Sequence, residues 1–503
     1  MTILMFLMFF STTAFQQVES LKSDQPNILF LIADDWSYPH AGIYGDKVVL
    51  TPTFDKLAKE GALFLNAYTA SPSCSPSRAS ILNGRYPHQN EQGANLWPEW
   101  PAQFPTYVSL LEDAGYFTGS ARKGWGPGEF QVSGLEHNPA GKTYADFESF
   151  YKAKAKDQPF TFWFGSSDPH RDYEPNTGIQ TGMKLSDVIV PDIFPDLDCI
   201  RNDILDYYFE VERFDRECGQ IIRFLEEMGE LNNTIVVMTS DNGMPFPRAK
   251  ANLYDLGTRM PLAIRWPNKI KAGTVIQSFV NFVDFSPSFL EAAGLQGKEM
   301  SGKSLWPILE GKSEGDHEVF LERERHANVR KGDLSYPSRA IRTHDYLYIR
   351  NLMPERYPAG DPTVHQSVGQ YGDVDNSITK FLIMALEGQE RDNSPDYFEL
   401  SFGLRPEEEL YVLKEDPYQI NNVADLPEFK EIKSALRKRL DDWMLETGDR
   451  RATEPRSNYW DQVRYTPTYQ MKDVDFMENI INYWIRPPFQ SGEGIPCEIG
   501  IRN

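Results

Sequence analysis

Pro26-Asn27-Ile28-Leu29-Phe30-Leu31-Ile32-Ala33-Asp34-Asp35 is an unbroken apolar run that ends in two carboxylates. A run of this length without polar alternation is the pattern of a strand buried on both faces, as in a parallel sheet covered by helices. The pattern returns at Thr234-Ile235-Val236-Val237-Met238-Thr239-Ser240, which ends in Asp241-Asn242-Gly243. A third run, Pro159 to Gly165, leads into Ser166-Ser167-Asp168-Pro169-His170-Arg171. Open α/β sheets bind ligands outside the carboxyl ends of their strands. Asp34, Asp35, Asp241 and Asn242 could therefore converge on one cation, and His170 on the same edge can donate a proton or a hydrogen bond to a leaving-group oxygen. All-oxygen ligation favours one calcium ion over zinc, and magnesium is the competitor because it demands stricter octahedral geometry. Alone, either acidic pair would serve equally well as a helix cap or a turn.

Strand and helix signals alternate from about Asn27 to about Ile349, which predicts an α/β fold with a doubly wound sheet. Thr53 to Lys59, Asp206 to Met228 and Ser286 to Ala293 read as helices, each followed by a glycine. Residues 352 to 405 are irregular and suit substrate loops and a domain junction. Glu409 to Leu413, the Asp416-Pro417 turn and a helical stretch from Phe429 to Glu446 suggest a smaller C-terminal α+β domain. The division expected is a signal peptide over 1–20, a catalytic domain over 21–370 and a C-terminal subdomain over 371–503.

Cys74-Ser75-Pro76-Ser77-Arg78, followed by Ala79-Ser80-Ile81-Leu82-Asn83-Gly84-Arg85, resembles the C-x-P-S-R signature of type I sulfatases. That family has an alkaline-phosphatase-like sheet and a smaller C-terminal domain. The resemblance implies that Cys74 is oxidised to formylglycine by a formylglycine-generating enzyme, giving a hydrated aldehyde as nucleophile. It also implies Asp34, Asp35, Asp241, Asn242 and position 74 as metal ligands, and Arg78 as a hydrogen-bond donor to the formylglycine. Lys123 and Lys250 align with the family's sulfate-binding cations, as a sulfate with charge on several oxygens requires. The Asp168-Pro169-His170-Arg171 segment resembles the heparan N-sulfatase branch, where His170 would protonate the leaving group and Arg171 would join the substrate site. Arg325, His326 and Arg339 lie where members of that branch line the sugar subsite. One departure stands out: most members carry histidine two residues after the first lysine, to help break down the sulfated intermediate, and this chain has Trp125. Indole is no base at neutral pH, and His137 is the substitute nearest in sequence.

A chain of 503 residues, 40% hydrophobic and without a long apolar span, reads as a soluble globular protein. Ile3 to Phe10 fits the core of an export signal, implying a periplasmic or secreted protein, or a lysosomal one in a eukaryote. A net charge of −22 disfavours nucleic acid as a partner. Basic residues cluster between Arg323 and Lys331, on which a basic pocket or a solvated mixed-charge face can be built. Cys218 recurs at helical spacing with Val211, Phe214, Ile221 and Leu225 and is expected in the core, while one disulfide among Cys199, Cys218 and Cys497 is open. The reading is a calcium-dependent sulfatase acting on a sulfate ester or sulfamate of a carbohydrate. Exo-action on oligosaccharides follows, because the global negative charge repels a long polyanion; N-sulfated glucosamine and ulvan or carrageenan fragments are the candidates. A phosphodiesterase or phosphonate hydrolase of the same superfamily, and a non-catalytic binder of sulfated sugars, are the rival readings.

Overall fold

The computed structural model describes residues 25–363, 369–388 and 394–462. Eight strands form the main sheet: β1 (Asn27–Ala33), β2 (Ala62–Tyr68), β3 (Phe117–Arg122), β4 (Thr143–Tyr144), β5 (Phe160–Gly165), β6 (Thr234–Ser240), β7 (Arg259–Arg265) and β8 (Thr274–Asn281). Their spatial order is β4-β3-β5-β1-β6-β7-β2-β8, and β7 runs antiparallel to both its neighbours. Along β1, Ile28, Phe30 and Ile32 enter one core with Phe285 and Phe289, while Leu29, Leu31 and Ala33 enter another with Phe214 and Leu225. Two buried faces explain why the strand is apolar at every position. Register then sets the function: Ile32 pairs with Gly165, Ala33 with Ser240, and Arg122 with Gly165. The segments after β1, β3, β5 and β6 consequently leave the sheet at one edge.

The helices that bear on the site are α1 (Pro52–Glu60), α2 (Cys74–Asn83), α3 (Asp198–Glu227), α4 (Ile378–Met384) and α5 (Lys430–Glu446). At about 1.5 Å per residue, α3 spans about 45 Å and covers one face of the sheet. Its buried carboxylates satisfy the ends of other elements. Asp215 accepts from the Thr53 and Phe54 amides at 2.9 and 2.8 Å, capping α1 where Thr51 makes no side-chain cap. Asp206 accepts likewise from Asn176 and Gly178. Cys218 is a buried free thiol within α3, as its spacing predicts, and Cys199 is held in a disulfide. Cys497 and the expected signal segment lie outside the described residues.

A second, antiparallel sheet has the order β12-β11-β10-β9, built from β9 (Glu318–Arg323), β10 (Ser338–Thr343), β11 (Tyr346–Asn351) and β12 (Glu408–Val412). Three of these strands precede residue 371, so the main sheet ends at Asn281, and the smaller unit begins earlier than the boundary expected from the sequence. A strand pattern states that a segment is extended but not which sheet it joins. One face of the small sheet packs on Leu436, Leu440 and Trp443 of α5. The other face meets Tyr68, Leu253, Tyr254 and Phe279 of the larger unit. Among the described residues no helix is long and apolar enough to cross a membrane.

A buried ionic network also ties the smaller sheet to the segment that follows α2. Glu322, Glu324 and Asp449 face Arg339, Arg451 and His88, all of them buried. His88 Nδ1 lies 2.9 Å from Glu322 Oε2, and Nε2 lies 3.3 Å from the Thr447 carbonyl. With both ring nitrogens facing acceptors, the ring is an imidazolium. Burial opposes that charge, but Glu322, then Asp449, outweigh it and raise the ring's pKa above the ordinary histidine value. A raised pKa contributes stability that is fully present below the unfolded value and is lost as pH rises through the folded one. Urea unfolding of wild type and His88→Gln is therefore expected to differ by about 3 kcal/mol at pH 6, with the gap narrowing as pH rises through the ring's raised pKa. A gap that does not change with pH would show that the ring carries no extra proton.

Candidate active site

Every polar group singled out at the sheet edge arrives at one place. Asp34 and Asp35 follow β1, and Asp241 and Asn242 follow β6 beside it. Cys74 begins α2, all ten residues of which are buried. The ligating atoms of Asp34, Asp35, Cys74 and Asp241 lie within 4.8 Å of one another. Cys74 Sγ donates to Asp34 Oδ1 at 3.4 Å. Asp241 Oδ1 accepts from the Asp35 and Asn242 amides at 3.2 and 2.8 Å, which locks the two strand ends together. Asp35 has φ of 80°, a strained left-handed conformation for a non-glycine residue. Its carboxylate is gripped by Asn242 Nδ2 at 2.6 Å and Lys250 Nζ at 2.8 Å, which hold the turn.

Three cations close around these acids. Arg78, fully buried, donates to Asp241 Oδ2 at 2.7 Å and to the Lys123 and Gly124 carbonyls at 2.8 and 2.9 Å. Lys123 follows β3 and lies 2.5 Å from Asp34 Oδ2. Burial opposes ionisation of Asp34, but Lys123, followed by His170 and Arg78, outweighs it and holds the carboxyl well below the usual range. Asp35 is pushed up to about 6 by burial, and Asp34 and Asp241 add to the rise against Lys250. Burial also raises Asp241. Burial, and next the charge of Asp34, raises the Cys74 thiol far above its ordinary value, so an unmodified cysteine here is a thiol and not a thiolate. His170 Nδ1 lies 2.5 Å from the Arg171 carbonyl, which can only accept, so Nδ1 carries a proton and Nε2 faces Asp35 Oδ2 at 3.9 Å. The His170 and Lys123 side chains are 34% and 22% exposed, whereas Cys74 is 2% exposed, so the cluster opens to solvent past these two side chains.

Three of the four residues expected in a sugar subsite sit elsewhere. Arg339 is fully buried in the junction network, 2.6 Å from both Asp449 and Glu324. Arg171 makes a bidentate pair with Asp203 at 2.7 and 2.8 Å and stacks over Tyr173 and Phe246, so it braces the His170 turn. Arg325 is 1% exposed and donates to the Asp333 carbonyl. His326 does stay near Cys74: its Nδ1 is 2.8 Å from Ser73 Oγ, and burial lowers its pKa to about 3, leaving it neutral. The Arg323 to Lys331 segment is thus largely interior pairing, as in Arg323 and Arg330 with Asp373. Sequence could not reveal this, because the neutralising acids come from distant parts of the chain.

Trp125 is buried; its indole N–H donates to the Ser75 carbonyl at 3.2 Å, and the ring packs edge-on against Trp100. It supports the start of α2 from behind. His137 pairs with Glu112 on the surface, 4.0 Å away, and does not stand in for the missing histidine. One site residue went unnoticed in the sequence. Asp375 Oδ2 lies 3.1 Å from Lys250 Nζ, and its carboxylate clusters with Asp35 and His170. It is one of 73 acidic residues and sits in a stretch without strand or helix period, so the only available signal was its place in the irregular region assigned to substrate loops.

An edge that gathers buried cations around anionic side chains suits a hydrolase of charged esters. Comparison with known proteins narrows that class. A family model described as Sulfatase matches residues 26–295, more than half of the chain, and one described as N-sulphoglucosamine sulphohydrolase, C-terminal, matches residues 248–356. The chain belongs to the sulfatase family, and the enzyme is a sulfuric ester hydrolase. An ulvan-active sulfatase of Formosa agariphila is 29% identical over 482 residues, covering 85% of this chain and 76% of that protein. Human N-sulphoglucosamine sulphohydrolase is 29% identical over 482 residues, covering 84% of this chain and 90% of that protein. A solved enzyme in complex with its substrate D-glucosamine-2-N,6-O-disulfate shares the fold, with a TM-score of 0.60 and 20% identity over 86% of this chain and 99% of that one. A phosphonate monoester hydrolase of Silicibacter pomeroyi does so too, with a TM-score of 0.62 and 16% identity over 85% of this chain and 96% of that one.

Because Arg339 lies in the junction and not at the site, Arg339→Ala is expected to lower unfolding stability by about 3 to 5 kcal/mol. The folded fraction should keep its KM for sulfate esters. A selective rise in KM at unchanged stability would return Arg339 to the substrate.

Proposed function

We propose that this sulfatase removes a sulfate ester or sulfamate from a carbohydrate, with position 74 as the nucleophile after oxidation of Cys74 to formylglycine. The observation that carries the reading is the Cys74 side chain 3.4 Å from Asp34, clustered with Asp35 and Asp241 in a group of acids that Arg78, Lys123 and Lys250 pair with. Formylglycine would supply a hydrated aldehyde, an oxygen nucleophile absent from the encoded side chains.

The donor set also fits a hard divalent ion. Asn242 Oδ1 is buried without a hydrogen-bond partner, although its amide nitrogen is bonded to Asp35, which leaves an oxygen acceptor beside three carboxylates. Asp34, Asp35, Asp241, Asn242 and position 74 would hold the ion, and oxygen ligation favours calcium. Bound there, it would supply Lewis-acid stabilisation of sulfate charge. Charge bookkeeping supports a singly charged sulfate: Asp34, Asp35, Asp241 and Asp375 exceed Arg78, Lys123 and Lys250 by one negative charge. A divalent cation reverses that excess, and one monoanionic ester then neutralises it.

Lys123 and Lys250 would bind sulfate oxygens, and Arg78 would keep Asp241 and the turn after β3 in place. As the sulfur–oxygen or sulfur–nitrogen bond breaks, His170 would deliver a proton to the departing sugar atom. A nucleophile position recessed beneath His170 and Lys123 favours sulfate on a projecting chain end, consistent with exo-action on short oligosaccharides. N-sulfated glucosamine and ulvan or carrageenan fragments are the substrates to test, given the relatives' activities. Maturation by a formylglycine-generating enzyme and export directed by the N-terminal segment belong to the same reading.

Mass spectrometry of the peptide containing position 74 is expected to find an aldehyde in active enzyme, and Cys74→Ala should abolish turnover. Sustained full activity with unmodified cysteine would remove the nucleophile from the scheme. Chelation should lower both turnover and thermal stability, with calcium restoring both, because an ion that binds only the folded state stabilises it. Unchanged melting and unchanged rate after chelation would refute the ligand assignment. Aryl sulfates should be turned over at least about 100-fold faster than matched phosphate and phosphonate esters, a difference of about 2.7 kcal/mol in barrier.

A further inference from the structure

Asp375 sits on a loop that is tied down on both sides. Two residues earlier, Asp373 binds Arg323 Nη2, Arg330 Nη2 and the Ala327 amide at 2.5, 2.6 and 2.9 Å. Beyond it, buried Lys380 donates to the Val374 carbonyl at 2.8 Å and to Asn376 Oδ1 at 3.2 Å, and Ser377 Oγ caps α4 through the Lys380 amide. Thr379 Oγ1 then donates to Asp203 Oδ2 at 2.6 Å. Asp203 is the carboxylate that clamps Arg171, whose carbonyl accepts from His170 Nδ1. The loop bearing Asp375 and the turn bearing His170 are thus pinned to the same side chain of α3.

Lys250 shows what this rigidity is for. Its ammonium has three N–H donors; Asp35 Oδ2 takes one at 2.8 Å and Asp375 Oδ2 another at 3.1 Å. Two anchored acceptors fix the direction of the third. Asp375 also groups with a ring nitrogen of His170 and an oxygen of Asp35, all within 4.8 Å of one another.

We propose that Asp375 is a positioning residue of the sulfatase reaction, holding the Lys250 ammonium and the His170 ring in the orientation that serves the departing oxygen. The inference rests on the assignment of His170 as leaving-group acid. Proton delivery matters most when the leaving alcohol is poor, so misaiming the donor must cost poor leaving groups more than good ones.

The test is a series of aryl sulfates whose phenols range from acidic to weakly acidic, assayed with wild-type, Asp375→Asn and Asp375→Glu enzymes. Asp375→Asn is expected to lose about 100-fold in kcat on the poorest leaving group and less than about 5-fold on 4-nitrophenyl sulfate, with KM changing little. Asp375→Glu should recover most of the loss. Circular dichroism of each variant would confirm that it is folded; should the Asn variant not fold, Asp375→Glu carries the test through its residual loss, which must grow as the leaving group becomes poorer, and a residual loss uniform across the series, or none, would overturn the proposal. A uniform loss across the series, or none, would overturn the role of Asp375 while leaving the sulfatase reading intact. A wild-type enzyme oxidised at position 74 yet inactive on every sulfate would overturn both.

Discussion

Three carboxylates share a small, dry volume at the ends of β1 and β6, and keeping them there is the constraint that shapes the structure. Burial and mutual repulsion both oppose their ionisation. Arg78, Lys123 and Lys250 answer that repulsion, each from a different element. The strand register supplies the acids, and α2 supplies one cation together with Cys74. The remaining two cations come from the turns after β3 and β6. Losing Arg78 or Lys250 takes the nearest ion pair from a buried carboxylate, so these side chains hold the site together whatever else they bind.

How much of this could be read in advance depended on how local the signal was. Asp34, Asp35, Asp241 and Asn242 were legible because each pair ends a strand buried on both faces, and the carboxyl edge of such a sheet is a known place for ligands. The helix of Cys218 was legible from its period. Arg339 was not, because its partners Glu322, Glu324 and Asp449 come from separate parts of the chain and turn a basic cluster into an interior one. Arg171 misled for the same reason: Asp203 reaches it from α3. Trp125 could be recognised as unable to act as a base, but its actual work, holding the Ser75 carbonyl, needed the packing.

The smaller sheet is more than an appendage. Its strand β9 contributes Glu322 and Arg323, so one short segment both ties the smaller sheet to the segment that follows α2 and, through Asp373, anchors the loop that brings Asp375 to Lys250. The ionic junction and the reactive pocket share a scaffold. Loss of β9 would therefore release both the junction and the loop that carries Asp375, whereas a change that leaves β9 in place, such as one at Arg339, leaves the pocket's supports intact.

The complete burial of α2 has a bearing on timing. On the proposed chemistry, a second enzyme must reach the Cys74 side chain and oxidise it, yet the finished structure shields the cysteine and every other residue of its helix. That enzyme would need the chain still unfolded, so on this scheme oxidation and folding would compete for the same molecule. On that scheme a chain that folds first would keep a thiol at position 74, recessed where a small sulfate could reach it and an oxidising enzyme could not. The yield of working enzyme is then decided by the order of two rates during synthesis, and a faster folding variant could be a less active one.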